Sequence, residues 1–175
     1  LTVDGSVQSS DSTKGYTAGI VVYGYPVEIE NCTNTAAVTI TNETNKGYAA
    51  GIVAFTGSTG NRITGCTNSG KISATGERVG GIVSNASGTS ISNCINSGDI
   101  VSTGTHGAFR FGVGGIAGSF SGSTTAKMER CGNTGAINST IKRTAGIAGN
   151  FSGEVNACFN TGNITGIHEL GGIVG

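Results

Sequence analysis

The groups that could do chemistry in this chain are five cysteines, two histidines and ten carboxylates. The cysteines are Cys32, Cys66, Cys94, Cys131 and Cys158, and each is followed two residues later by an asparagine: Asn34, Asn68, Asn96, Asn133 and Asn160. That recurrence places all five sulfurs in one structural column. Zinc needs four ligands converging on a point, which a column does not offer. Stacked neighbours would carry near-parallel Cβ atoms about 4.8 Å apart, wider than the roughly 3.5–4.5 Å of a disulfide. The expectation is therefore a set of buried free thiols packed as small apolar groups.

Other apparent motifs dissolve on the same reading. Residues 65–71 (GCTNSGK) approach a phosphate-binding GxxxxGK, but Ile72 stands where Ser or Thr is needed and no helix follows. Residues 112–117 (GVGGIA) imitate a dinucleotide fingerprint and run into a turn. His168-Glu169 opens like HExxH, but Gly172 removes the second ligand. The carboxylates are scattered, whereas a glycosidase or a calcium-dependent lyase needs them gathered in one cleft. Glu28 and Glu30 come nearest, sharing one strand face, and read as a solvated surface pair. The column Thr39, Ser73, Val101, Asn138, Thr165 is too mixed for an ice-binding array. Neither a catalytic residue, a metal ligand nor a cofactor is expected, and the chain reads as non-enzymatic.

The elements that carry these residues repeat. Three positions before each cysteine stands an apolar residue (Ile29, Ile63, Ile91, Met128, Val155). Two past each asparagine stands Gly70, Gly98, Gly135 or Gly162, with Ala36 in the first copy; two further on comes Val38, Ile72, Ile100, Ile137 or Ile164. Each repeat then closes on a small residue, glycine and isoleucine, the isoleucines being Ile20, Ile52, Ile82, Ile116, Ile147 and Ile173. Three short segments of period-two character recur, GIV, IxxCxN and GxI, and no stretch carries a helical stripe. Such segments cannot bury a core singly but can when stacked coil on coil. The expected fold is all-β: a right-handed parallel β-helix (β-solenoid) of about five and a half triangular coils, one per ~31-residue repeat. The isoleucines and cysteines should stack inward. The asparagines should sit at a turn, bonded to backbone and to the next asparagine. The repeated glycines should serve turns with positive φ. Outward columns should set Glu28 beside Arg62, Lys127 beside Glu154 and Lys71 beside Asp99.

Composition narrows the function. Glycine is 32 of 175 residues, only 11% are charged, and the net charge is zero. The absence of a basic excess argues against nucleic acid, and no apolar run approaches the roughly 20 residues of a membrane span. Low charge with 36% hydrophobic residues argues against disorder. Residues 1–175 read as a single solenoid segment, taken to be a piece excised from a longer repeat protein whose neighbouring coils would adjoin it.

The GGIVG…IxNCxNxGxI pattern, clearest over residues 80–100 (GGIVSNASGTSISNCINSGDI), resembles the GLUG-type repeats of bacterial surface proteins, with Ile in place of the usual Leu. The resemblance covers essentially the whole chain. It implies an extracellular location, at the bacterial cell surface or secreted, as in adhesin-like proteins or the non-catalytic regions of immunoglobulin A peptidases. It brings no catalytic residue. It implies a stalk with an adhesive surface, whose partner would be a host glycan or matrix protein. Two alternatives stay open: the β-helix of a polysaccharide-degrading enzyme, and a pure spacer or self-assembling filament segment.

Candidate binding residues follow from what the repeat leaves over. The longest stretch between motifs adds residues 103–111, with His106, Phe109, Arg110 and Phe111 in a chain poor in aromatics. This loop would either contact a partner or fold its rings back over the coil edge. Tyr16 and Tyr48 hold equivalent positions and should stack as a surface pair, a possible glycan platform. The residues after each isoleucine, from Val21 and Val53 to Val174, form either an exposed apolar stripe or, given a bend at the glycine, a second inward column. Sequons at Asn42 and Asn163 are expected by chance in such a chain.

Overall fold

The computed structural model describes residues 1–10, 15–41, 46–104, 111–122 and 126–175. Among them every regular element is a strand, and every strand pairs in parallel with its copy one repeat away. The chain is a parallel β-solenoid. Its registers run Ile29–Ile63–Ile91–Met128–Val155 and Val38–Ile72–Ile100–Ile137–Ile164, as the column reading requires.

Each coil carries five strand segments. In one coil these are Val53–Thr56, Asn61–Thr64, Thr67–Asn68, Ile72–Ala74 and Gly76–Gly80, which belong in that order to the first to fifth of five sheets. The expected IxxCxN segment is divided into the second and third strands by a corner at the residue before each cysteine. That residue is left-handed in all five copies: Asn31, Gly65, Asn93, Arg130 and Ala157, with φ between 49° and 63°. The variable stretch before the small-Gly-Ile signal supplies the fifth strand, which the sequence pattern did not mark.

The cross-coil interior is divided by a polar wall. Each asparagine donates from Nδ2 to the carbonyl two residues on, at 2.9–3.0 Å. It also donates to the Oδ1 of the asparagine one coil further, at 2.7–2.8 Å along Asn34–Asn68–Asn96–Asn133–Asn160. The ladder is directional. It starts at Asn34, whose buried Oδ1 has no hydrogen-bond partner, because Val3 occupies the register position before it. Opposite the amides lie Gly19, Gly51, Gly81, Gly115 and Gly146, where an added Cβ would come within 2.6 Å of the asparagine side chain. On one side of this wall pack Ile52, Ile82, Ile116 and Ile147 with Ile63, Ile91 and the cysteines. On the other pack Val38, Ile72, Ile100 and Ile137 with Val79 and Val113. Burying one such aliphatic side chain contributes about 1.5–3 kcal/mol.

Several expectations change. Gly70, Gly98, Gly135 and Gly162 are not left-handed. They are required because an added Cβ would sit 2.0–2.2 Å from the carbonyl of the preceding coil. Val53, Val83, Ala117 and Ala148 are fully buried, so the chain bends at the glycine and the exposed-stripe alternative falls. Arg62 bridges Glu28 as expected, and Glu30 as well. Lys127 lies in register with Glu154 but pairs with Glu129 on its own strand. The Asp99 carboxylate caps the Ala136 amide at 2.9 Å, instead of meeting Lys71.

Candidate functional site

The sharp bend at small-Gly-Ile brings the fifth and first sheets of the solenoid against each other. Small residues make the approach possible. An added Cβ on Gly118 would sit 2.6 Å from the Val79 nitrogen, and one on Gly149 would sit 2.4 Å from the Val113 nitrogen. Ser84 fastens the corner by donating from Oγ to the Arg78 carbonyl at 2.6 Å.

Outside this corner two columns face each other. The fifth sheet presents Tyr16, Tyr48, Arg78 and Gly112 in register, followed by Arg143. The first sheet presents Tyr23, Phe55, Asn85, Ser119 and Asn150. In every coil the two facing residues are seven apart, one four before the isoleucine and one three after it. The paired columns form a ladder of five rungs along the solenoid axis. The rungs open into a groove of about 490 Å³ that also takes in Phe120, Phe151 and the in-register serines Ser87, Ser121 and Ser152.

The rungs change character along the axis. At one end they are aromatic. The Tyr16 and Tyr48 rings stack at 4.6 Å and 25°, Tyr16 lies 5.0 Å from Tyr23, and Tyr23 lies 5.1 Å from Phe55. The expected stack thus forms, but not as a surface pair: Tyr48 is 5% exposed. The Arg78 guanidinium covers it, 4.9 Å from the Tyr48 centroid and 5.8 Å from that of Phe111, and donates to the Tyr48 hydroxyl. Cation–aromatic contact of this kind holds the guanidinium flat. The other end is polar. Arg143 donates from Nη1 to the Asn150 Oδ1 at 2.9 Å, and Asn150 donates from Nδ2 to Ser119 at 3.2 Å. Arg143 also meets Glu169 at 3.1 Å, and Lys142 meets it at 3.0 Å. Lys142 first, and Arg143 with it, hold the Glu169 carboxyl below its usual range.

No protein-family model matches this chain, and no curated protein matches it.

Of the residues expected to bind a partner, Tyr48 lines this groove, while Tyr16 stacks on Tyr48 and Phe111 lies beside Arg78. Phe111 is partly buried against the core, as in the fold-back alternative. His106, Phe109 and Arg110 lie outside the described residues, as does the sequon at Asn42. Sequence reasoning missed Arg78, Asn85, Ser119 and Asn150. The signal was present as the seven-residue spacing about each isoleucine, but the residue types differ from coil to coil.

The cysteine column offers no comparable site. All five are free, and Cys66, Cys94 and Cys131 are fully buried. The Cys94 thiol is pushed up by its hydrogen-bonding neighbour Cys131, by Cys66, and then by burial; Cys158 is pushed up by Cys131 and then by burial. Cys66 and Cys131 are shifted the other way, down to about 7 by the hydrogen bond with Cys94 and to about 4 by that with Cys158, so burial is what closes these thiols to reagents. Among the described residues no group of three or more His, Cys, Asp or Glu side chains could hold a metal ion.

Proposed function

We propose that this chain is a non-enzymatic module of a bacterial surface protein, displayed outside the cell, which serves as a stalk and as an adhesive surface for a host glycan or protein. Its resemblance to GLUG-type repeats supports the setting. The observation that carries the reading is the axial groove, where Tyr48, Phe55, Arg78 and Asn85 line a concave surface continuous over successive coils. Its volume falls within the range of about 300–1,000 Å³ common to ligand sites. The carboxylates support adhesion over hydrolysis. Glu28 and Glu30 meet Arg62, Glu129 meets Lys127, and Glu169 meets Lys142 and Arg143, all in exposed or partly exposed ion pairs. Carboxylates so paired do not make an acid–base couple across a cleft.

The test is a mixed array of glycans and matrix proteins probed with the folded chain and with Ser121→Phe. Ser121 is exposed at the groove and lies between Ser87 and Ser152 in register, so a ring there fills the groove without entering the core. Saturable binding that Ser121→Phe abolishes is the expected result. Binding that survives the filled groove, or none at all, overturns the proposal.

A further inference from the structure

We infer that the groove takes an extended acidic saccharide, a chain of uronic-acid rings laid along the solenoid axis with one ring to each rung. The inference rests on the adhesive reading above and specifies its ligand.

Three observations point the same way. The first is periodicity. The rungs repeat at the strand spacing of about 4.8 Å, close to the advance of an extended β-linked pyranose chain per ring. Four rungs, from Tyr48/Phe55 through Arg78/Asn85 and Gly112/Ser119 to Arg143/Asn150, cover about 14 Å. The second is the pairing of surfaces. Phe55, partly exposed at the groove, offers aromatic carbon to the apolar face of a sugar ring. Asn85, Ser119, Asn150 and the serine column Ser87, Ser121, Ser152 offer amides and hydroxyls to its ring substituents. Each serine or amide can donate and accept, which suits hydroxyls of either orientation. The third is charge. Arg78 is the one charged residue lining the groove among the described residues. Its guanidinium is held between Tyr48 and Phe111. A guanidinium fixed in this way presents a permanent positive charge that attracts a carboxylate.

The probes are β-1,4-linked mannuronic-acid oligomers of one to six rings and the same oligomers with their carboxyls reduced to alcohols, titrated calorimetrically into the folded chain. Affinity should rise with length up to about four rings and then level off, because the ladder has four rungs there. Carboxyl reduction should weaken binding about tenfold, and so should Arg78→Gln with the acidic oligomer. In Arg78→Gln the acidic and reduced oligomers should bind alike. Because Arg78 also covers Tyr48, a readout on the unaltered protein is added: affinity for the acidic tetramer should fall as salt rises, while affinity for the reduced one should not. Equal binding of acidic and reduced oligomers overturns the charge assignment. Affinity that climbs steadily past four rings overturns the ladder. If no saccharide binds but the array yields a protein ligand that Ser121→Phe blocks, the saccharide is refuted and the adhesive reading stands. If the array yields nothing, both fall.

Discussion

Asn96 is the most informative single position in the solenoid frame. It is fully buried at the centre of the amide ladder. Its Nδ2 donates to the Gly98 carbonyl at 2.9 Å and to Asn133 at 2.7 Å, and its Oδ1 accepts from Asn68 at 2.7 Å. Asn96→Ala removes all three bonds and deprives the Gly98 carbonyl and the Asn133 Oδ1 of their only donor there. Asn68 keeps its second acceptor, the Gly70 carbonyl. At about 1–3 kcal/mol for each buried group left unmade, the substitution should cost about 3–5 kcal/mol. Asn160 ends the ladder and is only partly buried. Asn160→Ala strips one carbonyl near solvent, and Asn133 still bonds to Gly135, so about 1 kcal/mol is expected. Urea denaturation followed by far-UV circular dichroism measures both, provided the slope with denaturant stays unchanged. If the two substitutions cost the same within about 1 kcal/mol, the ladder is not the cooperative wall described above.

Four further outcomes follow from the geometry. Gly115→Ala should destabilise by about 3 kcal/mol, since its Cβ would meet the Gly146 carbonyl at 2.2 Å, whereas Gly172→Ala, with nothing within 4 Å, should be near neutral in the same assay. Ala157→Gly should stabilise by about 0.5–1 kcal/mol, read as a rise in Tm, because Ala157 is held at φ 49°. Iodoacetamide followed by mass spectrometry should leave the buried Cys66, Cys94 and Cys131 untouched in the folded protein, label the partly exposed Cys158 there more slowly than in denaturant because its thiol is pushed up, and label all of them in denaturant. Glu129 is held below its ordinary 4.5 by Lys127, as Glu169 is by Lys142 and Arg143. A depressed folded value means their contribution is complete above about pH 4.5 and is lost as pH falls through the lower folded value. The urea midpoint should therefore be flat from about pH 7 to 5 and drop below about pH 4, less so in high salt.

The columns of Cys, Asn and Ile could be read directly because stacking demands the same residue at the same place in every coil. Asn96 can bond to Asn68 and Asn133 only if each coil repeats it, so the physics writes itself as periodicity. The groove has no such constraint. Tyr48, Arg78 and Gly112 share a register position but point out of the frame, and nothing obliges them to match. Recognising them as one surface required knowing that Val53 and Val83 turn inward, which depends on the angle of the glycine bend and not on any residue type. The fifth strand was hidden for a related reason: Gly76–Gly80 (GERVG) and Gly112–Gly114 (GVG) each hold a single valine between glycines and carry little β-propensity of their own. The left-handed corner before each cysteine was masked by its variety, since Arg130 and Ala157 stand where Asn31 and Gly65 suit the backbone.

The seven-residue spacing about each isoleucine has a consequence for how such a chain can change. Successive isoleucines are 26 to 34 residues apart, yet the distance from one lip of the groove to the other within a coil never varies. Length differences are absorbed elsewhere in the circuit. Duplicating a coil therefore adds one complete new position to the groove, and deleting a coil removes one, with the remaining positions still aligned. Substitutions at the lips alter one position at a time and leave the frame intact. A lineage built on this plan can lengthen, shorten or rewrite what it recognises coil by coil, as one edits a string of characters, without having to solve the folding problem again.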